Sequence, residues 1–317
     1  MIELIEKLIV VDWGTTSFRV LLVDEHGKVV SQNESKSGVQ FITDGDFEPV
    51  LLNAISPWLT KYGPLPIIAL GMVTGKNGWI EVPYISCPAS LENLAKGAIH
   101  RKISNNLDIY FLAGLTDKNS KPFPDVMRGE ETQVVGFGLD QKMTVVLPGT
   151  HSKWVKVGGG EITKFQTFVT GEIFSLLSEY SFIAKSTTPF NALENWAIFD
   201  HGVQTARDSH QHDSAFLSQL FAVRTGMLAG EFSSSEITTF LSGFLIGHEF
   251  RQALEIGWFS VGEAIGLVGN DVLSARYQRT ANMFELNTET LGGSATVCGA
   301  QKIFKKLSGS RKTDRLC

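Results

Sequence analysis

Cysteine is scarce and poorly placed for chemistry: Cys87, Cys298 and Cys317 are an odd number with no CxxC spacing. That argues against a disulfide framework or a cysteine zinc site and suits a reducing cytoplasm. Long apolar runs are also missing. The greasiest stretch, Phe240–Ile246, falls far short of the roughly 20 residues that cross a bilayer. The opening MIELIEKLIVVDWG carries two glutamates and lacks the basic-then-apolar pattern of an export signal. Nor is there a basic excess. Lys and Arg number 28 against 33 Asp and Glu, a net charge of -5, which argues against a general nucleic-acid binder. It does not argue against an anionic ligand, because local donors rather than net charge hold a phosphate. Only the tail is basic, through Lys302, Lys305, Lys306, Arg311, Lys312 and Arg315, and it reads as a solvated end.

What is present is a globular composition, 43% hydrophobic and 19% charged, in a chain long enough for two domains. The first third gives strands at Leu8–Asp12, Phe18–Asp24, Lys28–Gln32, Ile67–Leu70 and Ile109–Leu112, with helices at Glu48–Tyr62 and Leu91–Ile99. The middle repeats that opening, with strands Thr144–Leu147, Lys153–Val157 and Thr163–Phe168. Helical signals follow at Glu172–Ser181, Ala192–Asp200, Ala215–Ala229 and Glu236–Glu255. Strand Ala264–Val268, helix Asp271–Phe284 and helix Ala295–Leu307 end the chain. The halves share architecture but no visible sequence identity. The expected division is 1–140, 141–290 and a last segment 291–317 that packs back on the first domain.

Two constellations share one device. Asp12 ends an apolar strand, and Gly14, Thr15, Thr16 and Ser17 turn the chain into another, with Arg19 two residues on. Glycine permits close backbone approach to an anion, and hydroxyl and N–H groups can point at phosphate oxygens. Asp12 is placed to hold Mg2+ through water. The plainer alternative is a hairpin that simply favours Gly and Thr. After Pro148, the run Gly149, Thr150, His151, Ser152 and Lys153 again joins strand to strand. His151 is either a hydrogen-bonding turn residue or a base.

Three further runs surround these. Arg128, Gly129, Glu130 and Glu131 open a helix, where a carboxylate could accept a hydroxyl proton or merely suit the helix dipole. The loop Gly71–Trp79 imitates a P-loop, but its glycines are one residue too close and no Ser or Thr follows Lys76. Its Lys76, Asn77, Gly78 and Trp79 instead form a polar loop at a strand's end, a common place for a substrate. Gly269 and Asn270 join the last strand to a helix, where a flat adenine could lie on backbone. His210 and His212 read as a solvated loop. His248-Glu249 lacks the second histidine of a zinc protease motif.

With these residues in view, the chain resembles the 2-dehydro-3-deoxygalactonokinase family of the actin, hexokinase and Hsp70 superfamily. The likeness rests on Val11-Asp12-Trp13-Gly14-Thr15-Thr16, on Gly78-Trp79 with Pro83-Tyr84 and Cys87-Pro88, on Met127–Gln133 and on Leu147–Trp154. It implies an α/β fold of two RNase H-like, actin-like ATPase domains with a nucleotide cleft between them. It implies ATP and Mg2+ as cofactors and phosphorylation of 2-dehydro-3-deoxy-D-galactonate at the 6-hydroxyl, in D-galactonate breakdown. The ATP-binding residues are then Gly14–Ser17, Gly149–Lys153, Gly269 and Asn270, with Asp12 at the metal. The acceptor residues are Lys76, Asn77, Gly78, Trp79, Arg128 and Glu131.

A more distant likeness to glycerol and xylulose kinases places Glu130 where their catalytic aspartate stands, with Glu131 and Asp125 as alternatives. It also likens Leu291–Ala295 to their small-residue helix start. The implied partners are ATP and a small sugar acid, without nucleic acid or membrane and with room for a homodimer. The rival readings are a kinase of another keto-deoxy acid or sugar, and a non-catalytic actin-like ATP-binding protein.

Overall fold

In a computed structural model of the protein, which describes residues 7–43, 45–184, 195–208 and 216–313, the first apolar run becomes a fully enclosed strand. This β1 (Lys7–Trp13) buries Ile9, Val10, Val11 and Trp13 on both its faces. It forms a meander with β2 (Phe18–Asp24) and β3 (Val29–Ser35). Helix α1 (Phe47–Tyr62) turns Phe47, Leu51, Ile55 and Trp58 to the core at helical spacing and ends at Gly63, φ 75°. Strand β4 (Ile67–Gly71) and two short strands, β5 (Ile85–Ser86) and β6 (Ala89–Ser90), lead into α2 (Leu91–Lys96). Then come β7 (Ile99–Ile103), β8 (Leu107–Phe111), β9 (Leu115–Asp117), β10 (Asp125–Met127) and α3 (Glu130–Phe137).

The first sheet has the order β3-β2-β1-β4-β8-β7, with β1, β4 and β8 parallel. The expected helix Leu91–Ile99 is too long. Ser90 and Asn93 form a capping box at its start, and the chain turns at Gly97, where a side chain would overlap Ile85. Ile99 already belongs to β7, an antiparallel edge strand absent from the sequence reading.

The later part begins with β11 (Met143–Leu147), β12 (Ser152–Gly158) and β13 (Glu161–Phe168). Among the described residues the helices α4 (Thr170–Tyr180), α5 (Trp196–Arg207), α6 (Phe216–Leu220), α7 (Ala222–Ala229) and α8 (Ile237–Glu255) follow. The single helix expected over Ala215–Ala229 is two, broken at Phe221, whose ring packs on Phe182. Strand β14 (Ala264–Val268), α9 (Asp271–Met283), β15 (Asn287–Leu291) and α10 (Ser294–Thr313) complete the described chain. The second large sheet runs β15-β14-β11-β12-β13-β6. A meander with two parallel strands beside its first member thus occurs twice, which is the RNase H-like arrangement. His210, His212 and Arg315 lie outside the described residues.

The chain gathers into two compact units. One comprises Met1–Lys142, Val155–Phe165 and Gly293–Cys317, the other Met143–Trp154 and Gln166–Gly292. In the first, α10 lies against α3 through glycine. A Cβ on Gly299 would overlap the Thr132 carbonyl, and one on Gly136 would overlap that of Ala295. Lys302 Nζ donates to the carbonyls of Val135 and Gly136 at 2.9 and 3.2 Å, fixing the pair further. Gly299→Ala should therefore cost about 1–3 kcal/mol of stability, the scale of overpacking. Urea unfolding that shows no loss would refute this reading of the contact. Among the described residues no helix is long and apolar enough to cross a membrane.

Candidate active site

Asp12 sits at the C-terminal end of β1, one residue before the chain leaves the sheet. The antiparallel register pairs it with Arg19, and Arg19 Nη2 donates to Asp12 Oδ2 at 2.7 Å. The turn is closed by Gly14 N–H donating to the Ser17 carbonyl at 2.9 Å. It is seated on the segment after β3, where Val39 and Gln40 N–H donate to the carbonyls of Gly14 and Thr15. Gly38 is indispensable there, since a Cβ would overlap the Thr15–Thr16 backbone. With its carbonyls thus engaged, the turn keeps Thr15, Thr16 and Ser17 exposed. Among the described residues no cluster of three acidic, histidine or cysteine side chains forms a metal cage. The oxygen donors here, Asp12 Oδ1 and three hydroxyls, fit Mg2+, which binds through one or two carboxylates plus substrate phosphates.

Two glycines bring the neighbouring elements to this strand end. Gly71, φ 87°, ends β4 beside Trp13, and a Cβ there would stand 2.8 Å from the Trp13 carbonyl. A Cβ on Gly129, φ 109°, would stand 3.4 Å from the Gly71 Cα. The start of α3 is therefore packed by backbone against the end of β4.

The loop after β4 is folded tightly on itself. Trp79 N–H donates to the Val73 carbonyl at 2.8 Å, and a Cβ on Gly78 would overlap that carbonyl. The Trp79 ring stacks on Phe47 and meets Phe111 edge-on, so it anchors the loop to the core. Lys76 and Asn77 are exposed at the tip. Arg128 pins the loop from the other side. Its Nη1 donates to the Thr74 carbonyl at 2.7 Å and Oγ1 at 2.8 Å, and its Nη2 donates to the Val82 carbonyl at 2.9 Å. The guanidinium also lies 4.2 Å from the centre of the Tyr84 ring. Arg128 thus shapes the loop with its terminal nitrogens and leaves Lys76 as the outward cation.

Glu130 and Glu131 are adjacent but unlike. Glu130 is half-buried, and its Oε2 accepts the Arg128 N–H at 2.9 Å. Glu131 is 1% exposed, accepts the Gly129 N–H at 2.7 Å and the Thr132 hydroxyl at 3.2 Å. Burial first, and the neighbouring Glu130 charge second, push the Glu131 carboxyl up to about 8, so it keeps its proton at neutral pH. A carboxyl raised on folding binds more protons in the native than in the unfolded state. Its contribution to stability is full below the unfolded value of about 4.5 and is lost as pH rises through about 8. Several kcal/mol are at stake, at about 1.4 kcal/mol per pH unit. Glu131→Gln should flatten the stability–pH curve across that window, and an unchanged curve would refute the buried proton. Asp125, on β10, has an Oδ1 that accepts the Val126 N–H at 2.7 Å.

In the second unit, Gly149 and Thr150 form the turn after β11, and helix α4 starts directly on it. Glu172 N–H donates to the Thr150 carbonyl at 2.9 Å, and a Cβ on Gly171 would overlap Gly149. His151 is exposed and its Nε2 meets Glu172 Oε2 at 2.6 Å, a hydrogen-bonding role that ties turn to helix. Lys153 is buried, its Nζ donating to the His151 carbonyl at 3.1 Å. Ser152 donates to the Tyr277 hydroxyl, which donates to Glu249, and Trp154 Nε1 donates to the other Glu249 oxygen, each at 2.7 Å. Burial pushes the Glu249 carboxyl above the ordinary carboxylate range, against the hydrogen bonds that hold it down. Gly269 lies beside the same turn, a Cβ there standing 3.6 Å from Pro148 Cδ. Asn270 caps α9, accepting the Leu273 N–H at 2.9 Å.

Sequence reasoning gave no role to Arg19, Tyr84, Gly171, Glu172 or Glu249. Only Arg19 was findable, because a turn at Gly14–Ser17 sets it opposite Asp12. The others depend on contacts distant in the chain.

A family profile described as 2-keto-3-deoxy-galactonokinase matches residues 12–303. The chain is 31% identical over 300 residues to the 2-dehydro-3-deoxygalactonokinase of Escherichia coli (strain K12), covering 94% of this chain and 97% of that protein. It is 32% identical over 292 residues to a protein of Rhizobium meliloti (strain 1021) named as a probable 2-dehydro-3-deoxygalactonokinase, covering 90% and 92%. A crystal structure from Sinorhizobium meliloti, described as a 2-dehydro-3-deoxygalactonokinase protein, superposes with a TM-score of 0.83 at 31% identity. It covers 94% of this chain and 98% of that one.

Proposed function

The chain belongs to the 2-keto-3-deoxy-galactonokinase family, and from that premise we propose that it moves the γ-phosphoryl group of ATP to the 6-hydroxyl of 2-dehydro-3-deoxy-D-galactonate. ADP and the 6-phosphate are the products. The observation that carries the assignment of roles is the unequal carboxyl pair, Glu130 half-buried with an oxygen on the Arg128 N–H and Glu131 fully buried on the Gly129 N–H. A carboxyl pushed toward its protonated form, as Glu131 is, is poorly suited to take a proton from the attacking hydroxyl, so the role is assigned to its half-buried neighbour Glu130. The hydroxyl proton passes to Glu130 as the oxygen bonds to phosphorus and the bond to ADP breaks. A carboxylate is a weak base, so this transfer comes late, when phosphoryl transfer has made the proton acidic.

Asp12, steadied by Arg19, would hold Mg2+ together with the phosphates, and the ion would neutralise charge on the transferring group. The Gly14–Ser17 turn offers hydroxyl and N–H groups to phosphate oxygens, as does the Gly149–Lys153 turn, with adenosine near Gly269 and Asn270. Lys76 pairs with the substrate carboxylate, and Arg128 is a positioning residue for the loop that carries it. In this reading residues 1–140 carry the acceptor chemistry, 141–290 the adenosine and second phosphate turn, and 291–317 support the first domain. Turnover of about 1–100 per second is ordinary for such chemistry.

The direct experiment measures ADP release with a panel of keto-deoxy sugar acids and identifies the product phosphate by NMR. Preferred phosphorylation of 2-dehydro-3-deoxy-D-galactonate at O6 is expected. ATP hydrolysis without transfer to any acid would overturn the kinase reading. Lys76→Ala should raise KM for the acid about 10–100-fold, the scale of one charge-assisted hydrogen bond, with kcat and the KM for ATP little changed. An unchanged KM for the acid would remove Lys76 from the site.

A further inference from the structure

Glu249 stands where no carboxyl is needed for packing. It lies on α8 beside the core residue Phe250 and is 3% exposed. A carboxyl there is costly unless its oxygens are satisfied, and an apolar side chain would fill the space as well. Its oxygens are satisfied from several elements at once. Trp154 Nε1, on β12, donates to Oε1 at 2.7 Å, and the Tyr277 hydroxyl, on α9, donates to Oε2 at 2.7 Å. The Thr170 hydroxyl, at the start of α4, is a further hydrogen-bond partner. Tyr277 in turn stands 2.7 Å from the hydroxyl of Ser152, the first residue of β12. All of these residues belong to the second unit.

The partners converge on the Gly149–Lys153 turn. Ser152 lies within it and is 0% exposed, so its hydroxyl is committed to Tyr277 and turned away from solvent. Thr170 precedes Gly171 and Glu172, which carry the turn from the other side. A Cβ on Gly171 would overlap the Gly149 carbonyl, and Glu172 N–H donates to the Thr150 carbonyl at 2.9 Å. One carboxyl therefore grips both supports of the turn, while Gly149 itself stays open, a Cβ there meeting nothing within 4 Å. A satisfied buried network of this kind fixes one arrangement of the elements it joins.

We infer that Glu249 is a positioning residue for ATP: by holding Tyr277 and Thr170 it sets the Gly149–Lys153 turn in the shape that receives phosphate oxygens. The inference rests on the reading of that turn as a phosphate site given above. Ser152 then supports the turn from within, and the exposed Thr150 is left to meet phosphate. Glu249 touches no reacting atom, so the network acts on how the phosphate chain is held and not on proton transfer.

Calorimetric titration of the full chain with ATP, ADP and adenosine separates the phosphate contribution from that of the nucleoside. Tyr277→Phe cuts the link from Glu249 to Ser152 and keeps the ring. With native circular dichroism, it should bind ATP and ADP about tenfold or more weakly, the scale of one buried hydrogen bond. Adenosine affinity and the KM for the sugar acid should hardly move. Glu249→Gln, whose amide can still accept from Trp154 and donate to Tyr277, should keep most of the ATP affinity. If Tyr277→Phe fails to fold, Ser152→Ala cuts the same link at the turn and carries the comparison. A purely structural role would lower the melting temperature and leave the ratio of ATP to adenosine affinity where it was. That result, or full ATP affinity in the folded variant, would overturn the inference. Gly149→Ala checks the reading beneath it, because its methyl stands in open space in the fold and should obstruct a phosphate. Weakened ATP in Gly149→Ala beside unchanged ATP in Tyr277→Phe would overturn the positioning role alone. Unchanged ATP in Gly149→Ala would overturn the phosphate turn and the inference with it.

Discussion

Replacing Asp12 by asparagine is expected to lower kcat about 10²–10³-fold, the usual loss when one preorganised charge is removed from a transition state. The fold should survive. Asparagine keeps an oxygen to accept from Arg19 and is nearly isosteric at the end of β1, where the side chain is only partly buried. What disappears is the negative charge beside the Gly14–Ser17 turn. Higher Mg2+ should restore little, because placement rather than supply is lost. A variant with native circular dichroism and near-normal turnover would exclude Asp12 from metal and phosphate placement. Arg19→Met is the companion, expected to act in the same direction but more weakly, since it loosens Asp12 without discharging it.

Glu130→Gln should lower kcat about 10²–10⁴-fold, the range for a positioned acid–base group, with the KM for ATP little changed. Glu131→Gln is the contrast. Glu131 already holds a proton at neutral pH, and an amide replaces a neutral carboxyl closely, so activity should fall far less. The two variants therefore separate chemistry from packing at adjacent positions. If Glu131→Gln is dead and Glu130→Gln active, the base is the buried residue and its proton must leave before each turnover. If both are active, Asp125 becomes the residue to replace.

The sequence was most legible where an apolar run meets a small-residue turn. Val10–Arg19 and Val145–Trp154 announce strand, turn and strand, and both hairpins are present, with β1 running one residue past Asp12 and β12 starting one residue early, at Ser152. Strands at the sheet margins were not legible. Residues 287–291, Asn-Thr-Glu-Thr-Leu, are mostly exposed and carry no apolar alternation, and β14 alone draws them into a sheet. Ile99–Ile103 is similar, its middle occupied by His, Arg and Lys. The loop Gly71–Trp79 was legible as a polar loop at a strand's end, but its shape was not. That shape comes from Arg128, which stands 54 residues beyond Thr74. Trp79, read as a substrate contact, has its ring packed toward Phe47 and Phe111 in the core, a direction that periodicity cannot give in an irregular loop.

The glycine contact between α3 and α10 has a consequence for the order in which the protein is made. The helix that presents Glu130 and Glu131 is synthesised before residue 140, yet the surface it rests on, around Ala295 and Gly299, leaves the ribosome some 160 residues later. Until then the back of α3 is bare, with the Thr132 carbonyl facing no helix. The second unit, Met143–Trp154 with Gln166–Gly292, is complete earlier although it starts later. The nascent chain must therefore carry an unfinished first unit through most of translation, and a stop codon near residue 293 would leave α3 without its support for good. Moving residues 293–313 to the front by circular permutation would let the first unit finish first.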